Sequence, residues 1–268
     1  MRLITRLAAV ILTAAALTAP GLADNATQAA APAGAMTLSA RYSGSVLAIP
    51  VGRVELSARL GQDSYTASAT AVATGLAALF TDVRIDSEVS GAITRGRARP
   101  VSYAHDERTG RKHRRIDMSF DNRIARATAV PNFSTWGDPP ATDSDRAGAI
   151  DPMTAVLMLS QSMTGRRECS GLLPVFDGRH RYSLRLQARG REHVRTPAWQ
   201  GEAIVCDAFY EPISGYTDRQ RPSPRDLRHP LTLWLAPLDN GHHLPVRLQT
   251  RAGFGVLIEL NSLEMSPA

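Results

Sequence analysis

The stretch Arg53-Val-Glu-Leu-Ser-Ala-Arg-Leu60 alternates, residue by residue, between polar and apolar side chains. In an extended chain successive side chains point to opposite faces. Val54, Leu56, Ala58 and Leu60 therefore share one face, and Arg53, Glu55, Ser57 and Arg59 the other. That is the mark of a strand with one buried side. The same period returns downstream in Tyr65, Ala67, Ala69, Ala71 and Ala73, in Val83, Ile85, Ser87 and Val89, and in Ile116, Met118 and Phe120. Further on it marks Tyr182, Leu184, Leu186 and Ala188, then Leu231, Leu233 and Leu235, then Leu244, Val246 and Leu248, and finally Phe254, Val256, Ile258 and Leu260. Asp121-Asn122, Asp177-Gly178 and Asn240-Gly241 supply turn chemistry between runs. The pattern predicts a mainly β protein of roughly ten to twelve antiparallel strands.

One region breaks the rhythm. Pro131 to Gly148 is rich in Pro, Asp and Gly and reads as a long irregular loop. Asp151-Pro152 then opens the principal helix: the aspartate caps free N–H groups and proline fits the first helical position. Met153, Val156, Leu157, Ser160 and Met163 follow helical spacing, with Gly165 as the stop. This predicts an amphipathic helix packed on the sheet, most naturally on the shallow alanine face of Tyr65–Ala73. A shorter helix is expected within Thr74–Phe80.

The start of the chain concerns compartment. Arg2 and Arg6 precede an apolar run from Leu7 to Ala19. Pro20-Gly21 follows, and Leu22-Ala23 before Asp24 offers small residues for cleavage. Residues 1–23 thus read as a secretory signal peptide cleaved near Ala23, residues 24–35 as an Ala-rich flexible leader, and 36–268 as a single domain. The expected location is the periplasm, and the mature chain is expected not to span a membrane. In that oxidising compartment Cys169 and Cys206, the two cysteines of the chain, are expected to form a disulfide, with two buried free thiols as the alternative.

Composition excludes more than it assigns. The net charge of +6 falls to +4 once Arg2 and Arg6 are removed, and Lys112 is the single lysine. An excess this diffuse in an exported protein argues against nucleic acid and leaves anionic envelope components as the plausible counter-charge. Nucleophile-elbow, S-x-x-K, H-E-x-x-H, C-x-x-C, P-loop and dinucleotide-binding patterns do not occur. No cofactor or metal is expected: His242-His243 reads as an exposed turn, and His105 and His113 as flanks of a solvated hairpin tip. That tip, Arg108 to Arg115, is the sharpest charge cluster. Arg111, Lys112, Arg114 and Arg115 either dock a phosphate or acidic partner or merely crown a hairpin. Phe133 and Trp136, in the long loop, either contact a sugar or lipid or pin the loop to the core.

Several of these elements, taken in order, resemble a known family. Tyr42-x-Gly44, Gly52-x-x-x-Leu56, the Tyr65-led strand, the Asp151-Pro152 helix, Phe176-Asp177-Gly178 and Pro245-Val246-Arg247-Leu248 are similar to those of the periplasmic family called domain of unknown function 3108. The resemblance spans about Tyr42 to Leu260. It implies a curved antiparallel sheet, akin to the open half-barrel of lipoprotein carriers, and brings no catalytic residues. The leading expectation is a non-enzymatic envelope protein binding an apolar or amphipathic ligand, such as a lipid, in the sheet's concavity. The alternatives are a structural or interaction protein whose helix fills that concavity, and an enzyme acting on envelope glycans or lipids through acids such as Asp82, Asp86 or Glu88.

Overall fold

The computed structural model describes residues 35–95, 97–161, 169–238, 242–253 and 255–267. The export signal read in residues 1–23 and all but the last residue of the leader lie outside these, as do Met163, Gly165, Asn240-Gly241 and Phe254. Thirteen strands form among the described residues: β1 (Met36–Val46), β2 (Ile49–Leu60), β3 (Ser64–Ala73), β4 (Val83–Thr94), β5 (Arg97–Thr109), β6 (Lys112–Asp121), β7 (Ile124–Val130), β8 (Ser170–Phe176), β9 (Arg181–Arg195), β10 (Gln200–Ser214), β11 (Leu231–Pro237), β12 (His243–Thr250) and β13 (Val256–Pro267). Four helices accompany them: α1 (Leu76–Phe80), α2 (Asp143–Arg146), α3 (Pro152–Gln161) and α4 (Pro224–Leu227).

All thirteen strands belong to one antiparallel sheet in the order β7-β6-β5-β4-β3-β2-β1-β13-β12-β11-β10-β9-β8. The register shows how alternation becomes a core. Ala40, Leu56, Ala69, Ser87, His105 and Ile116 stand opposite one another across six strands, and every one of them is buried. The sheet curls until its edges, β7 and β8, nearly meet. Residues 147–150 fill the remaining seam. Gly148 N–H donates to Arg123 C=O at 2.7 Å, Ile150 N–H to Pro174 C=O at 2.9 Å, and Phe176 N–H to Ile150 C=O at 2.9 Å. The result is a nearly closed barrel, one strand beyond the expected number and more closed than a half-barrel.

Closure changes the role of α3. Asp151 caps it as expected, its Oδ1 accepting from Thr154 N–H at 2.8 Å. The helix is not amphipathic in use, however. Met153, Thr154, Ala155, Val156, Leu157 and Leu159 are all at most 2% exposed. The element lies within the barrel, closest to β5, β12, β8 and β4. The alanine face of β3 is not its main seat. That strand reaches the helix through Tyr65, whose hydroxyl lies 2.7 Å from Thr154 Oγ1. A flat sheet would cover one stripe, whereas a closed one wraps strands from both edges around the helix.

The second half of the sheet has its own cover. At Arg189–Gly190 the ladder slips a residue and Gly190 takes φ 102°, a conformation that glycine adopts at little cost. Beyond this bulge the β9–β10 hairpin folds over the outer face of β11–β13. Glu192 accepts from Trp234 Nε1–H at 2.8 Å, Arg195 C=O from Arg247 at 3.0 Å, and Leu260 C=O from Ala198 N–H at 3.4 Å. The Cys169–Cys206 disulfide forms here, across β9, with the two Cα atoms 5.6 Å apart. The β6–β7 turn is Asn122-Arg123 (φ 50° and 64°), not Asp121-Asn122, because Asp121 still pairs with Ile124.

Candidate functional site

Two groups of polar residues stand out, one inside the barrel and one on its rim. Inside, the alternation that buries apolar residues also carries polar ones inward. Tyr65, Tyr103, Tyr182, Tyr210 and Tyr216 are five of the six tyrosines, and all are buried or half-buried. Thr154 Oγ1 donates to Asp151 Oδ2 at 2.5 Å, so the contact between Tyr65 and Thr154 has the phenol as donor. This Tyr65–Thr154–Asp151 relay anchors the helix to the wall. Asp151 is 0% exposed. Burial pushes its carboxyl up to about 6 despite the opposing hydrogen bonds from Thr154.

At the β8–β9 turn the balance is reversed. Burial would raise Asp177, but the charge and ring N–H of His180, with the backbone N–H groups of His180 and Arg179, bring it down to about 2. The carboxylate holds this turn together: Oδ1 accepts from His180 N–H at 2.7 Å and Arg179 N–H at 2.9 Å, and Oδ2 lies 3.1 Å from His180 Nδ1. The His180 ring stacks obliquely on Tyr216 at 4.6 Å, and the hydroxyl of Tyr216 meets that of Tyr210. Tyr210 in turn stacks on Tyr182 at 4.4 Å. Gly178 permits the turn to pack, since a Cβ there would collide with Ile116 of β6. Burial drives the Tyr182 and Tyr210 phenols well above their ordinary range, so they remain neutral donors.

His105 is inside too, not at a solvated tip. It lies in the buried row described above, its Nδ1 3.0 Å from Ser87 Oγ, and burial holds it below its ordinary value, hence neutral. His113 is the outer member, exposed and 2.9 Å from Asp106. The two histidines therefore occupy opposite faces of the sheet and cannot converge on one ion. His243 is no exposed turn either: it opens β12 and is 8% exposed, because pairing with Pro237 starts there. Among the described residues no group of three or more His, Cys, Asp or Glu is placed to hold a metal.

On the rim, the structure brings together half of the expected surface set. Phe133 packs edge-on to Trp136 at 5.0 Å and carries two guanidiniums over its ring, Arg114 at 4.3 Å and Arg179 at 4.8 Å. Both aromatics are half-buried, and Arg114 Nε–H also donates to Pro131 C=O at 3.1 Å. This cluster pins the long loop to β6. Arg115 pairs with Asp117 at 2.6 Å. Arg111 and Lys112 stand exposed at the hairpin tip, with no ion pair to any described residue.

The sequence pointed to the rim and passed over the interior. In the sequence Asp151 and Asp177 stand only as cap and turn residues. The available signal was tyrosine recurring at inward positions of separate strands.

The family model described as "Protein of unknown function (DUF3108)" matches residues 38–261. The fold is similar to the crystal structure of a β-barrel-like protein of domain of unknown function DUF1849 from Brucella abortus. The TM-score is 0.53 at 10% identity, over 87% of this chain and 98% of that one. No curated protein matches the chain significantly.

Proposed function

The chain belongs to this DUF3108 family of proteins of unknown function, and from its geometry we propose that it is an exported cell-envelope protein without catalytic activity. On this reading its barrel presents recognition surfaces rather than a container for a ligand. One observation carries the reading. Helix α3 occupies the concavity where an apolar ligand would sit, and its residues from Met153 to Leu157 are at most 2% exposed. The pairs that resemble catalytic ones, Ser87 with His105 and Asp177 with His180, join the wall and the turn to the core. Among the described residues no helix is long and apolar enough to cross a membrane.

The second reading keeps an amphipathic ligand in the concavity, with α3 as a removable plug. One feature favours it: Asp151, whose burial weakens the seat of the very helix it caps. Native mass spectrometry of protein recovered from the periplasm tests both readings. Export predicts a chain beginning at or just after Asp24. The surface reading predicts that bare mass alone. A lipid adduct that survives mild activation would establish the plug reading instead, and an intact Met1 found only on cytosolic protein would refute export.

A further inference from the structure

We propose that the rim formed by the β1–β2 turn, α1 and the β5–β6 hairpin tip docks on the surface of an anionic phospholipid bilayer. This deepens the recognition-surface reading by naming the partner of one such surface. Four large apolar side chains are exposed there: Leu47 at 75%, Ile49 at 47%, Leu79 at 76% and Phe80 at 87%. Exposed apolar residues scattered singly need no explanation, but a cluster does. Backbone contacts show that these belong together. Thr74 N–H, just before α1, donates to Val51 C=O of β2 at 3.0 Å, and Gly75 packs against the carbonyl of Pro50.

The turn itself is built against local preference. Leu47 and Ala48 take φ 50° and 65°, values that two-residue hairpin turns ordinarily give to Asn and Gly. A leucine held in that conformation and left in water points to a use outside the fold. The charge beside the patch names the partner. Asp82, two residues past Phe80, accepts from Gly110 N–H through its backbone carbonyl at 2.8 Å, which places the hairpin tip against the end of α1. Arg111 and Lys112 directly follow that glycine, exposed and without an ion pair to any described residue. Apolar side chains next to unpaired basic ones match the two layers of an anionic interface: acyl chains beneath, phosphates above.

Flotation with vesicles tests this directly. The wild type should rise with vesicles of phosphatidylcholine and phosphatidylglycerol (7:3), less so at high salt, and should stay behind with pure phosphatidylcholine. Leu79→Ser/Phe80→Ser and, separately, Arg111→Glu/Lys112→Glu should each reduce binding about tenfold or more. All four positions are exposed, so melting curves should match the wild type and exclude misfolding. Any part of residues 1–23 still present is common to every sample, so the difference between variants reads the rim. Equal binding by wild type and variants, or no wild-type binding, overturns the proposal. So does a wild-type dimer that the serine variant abolishes, which would assign the patch to a protein interface. Vesicle binding is measured on purified protein, so a failure of the export reading leaves this result standing, and the reverse also holds.

Discussion

The two halves of the sheet solve the same burial problem differently. In β2 the inward Val54, Leu56, Ala58 and Leu60 are buried while the outward Arg53, Glu55, Ser57 and Arg59 are exposed. In β11 the outward Thr232, Trp234 and Ala236 are 8%, 7% and 0% exposed, as closed off as the inward Leu233 and Leu235. The first half is a wall between core and water. The second is a middle layer, with α3 on its inner side and the folded β9–β10 arm on its outer side. An outward residue therefore carries little energy in one half and core-like energy in the other.

The largest test of that difference is Trp234→Ala. Its indole is buried under the arm and donates to Glu192, so truncation should lower stability by ~3–5 kcal/mol. Ser57→Ala, outward in β2, should stay within ~0.5 kcal/mol. Equal effects in denaturant titrations would dissolve the distinction between the halves. Leu157→Ala comes next, at ~2–5 kcal/mol. The helix touches β4 and β5 of the first half and β8 and β12 of the second, so this loss should unfold both together. If melting stays unchanged while lipid binding changes, α3 is a mobile plug. Cys169→Ser should cost ~2–4 kcal/mol by freeing the chain that the bridge closes. Free-thiol titration of unreduced, denatured wild type should find none.

Asp151 sits at the seam between the halves and makes stability depend on pH. Its folded value of about 6 lies above the ordinary 3.8. The folded state therefore binds more protons between those values, and stability falls as pH rises from about 4 to about 6. Above that window the full penalty, roughly 3 kcal/mol, is present. His105, held neutral by burial, acts in the opposite sense, since its unfolded form gains a proton below 6.5. The readout is therefore Asp151→Asn against wild type, in which the His105 contribution cancels. The variant's relative stability should rise by up to ~3 kcal/mol between pH 4 and pH 7. A difference that stays flat with pH would mean that the carboxyl is solvated.

This contrast also explains what could be read in advance. Alternation in β2, β3, β4 and β6 named inward residues correctly, because water on the outer face demands polar residues there. Proline after aspartate located the start of α3. The enclosure of that helix was not legible, because it depends on a seam closed by residues 147–150 that carry no periodic pattern. Nor was the interior relay, since Tyr65 and Thr154 are 89 positions apart and each fits its own element's pattern. In β11 the outward Trp234 looks like a solvated residue, since the arm that covers it comes from a hairpin bent at Gly190.

The smallest effects provide the closest match between the halves, because both carry a cross-strand threonine–aspartate hydrogen bond on the outer face. Thr70 Oγ1 donates to Asp86 at 2.7 Å in the first half, and Thr232 Oγ1 to Asp207 at 2.6 Å in the second. The chemistry is the same and the surroundings differ. Asp86 also accepts two charged bonds from Arg84 at 2.7 Å and stands in partial contact with water. Asp207 is 9% exposed, and its nearest guanidinium, Arg189, is 3.8 Å away. Replacing threonine by valine removes the donor at nearly constant volume. In Thr232→Val it leaves a buried carboxylate oxygen short of a partner, a loss of ~1–3 kcal/mol. In Thr70→Val, Arg84 and water remain to satisfy Asp86, and the change should stay within ~0.5 kcal/mol. Should the two variants melt alike, water reaches Asp207 as it does Asp86, and β10–β12 would be an ordinary half-exposed wall like β2–β4.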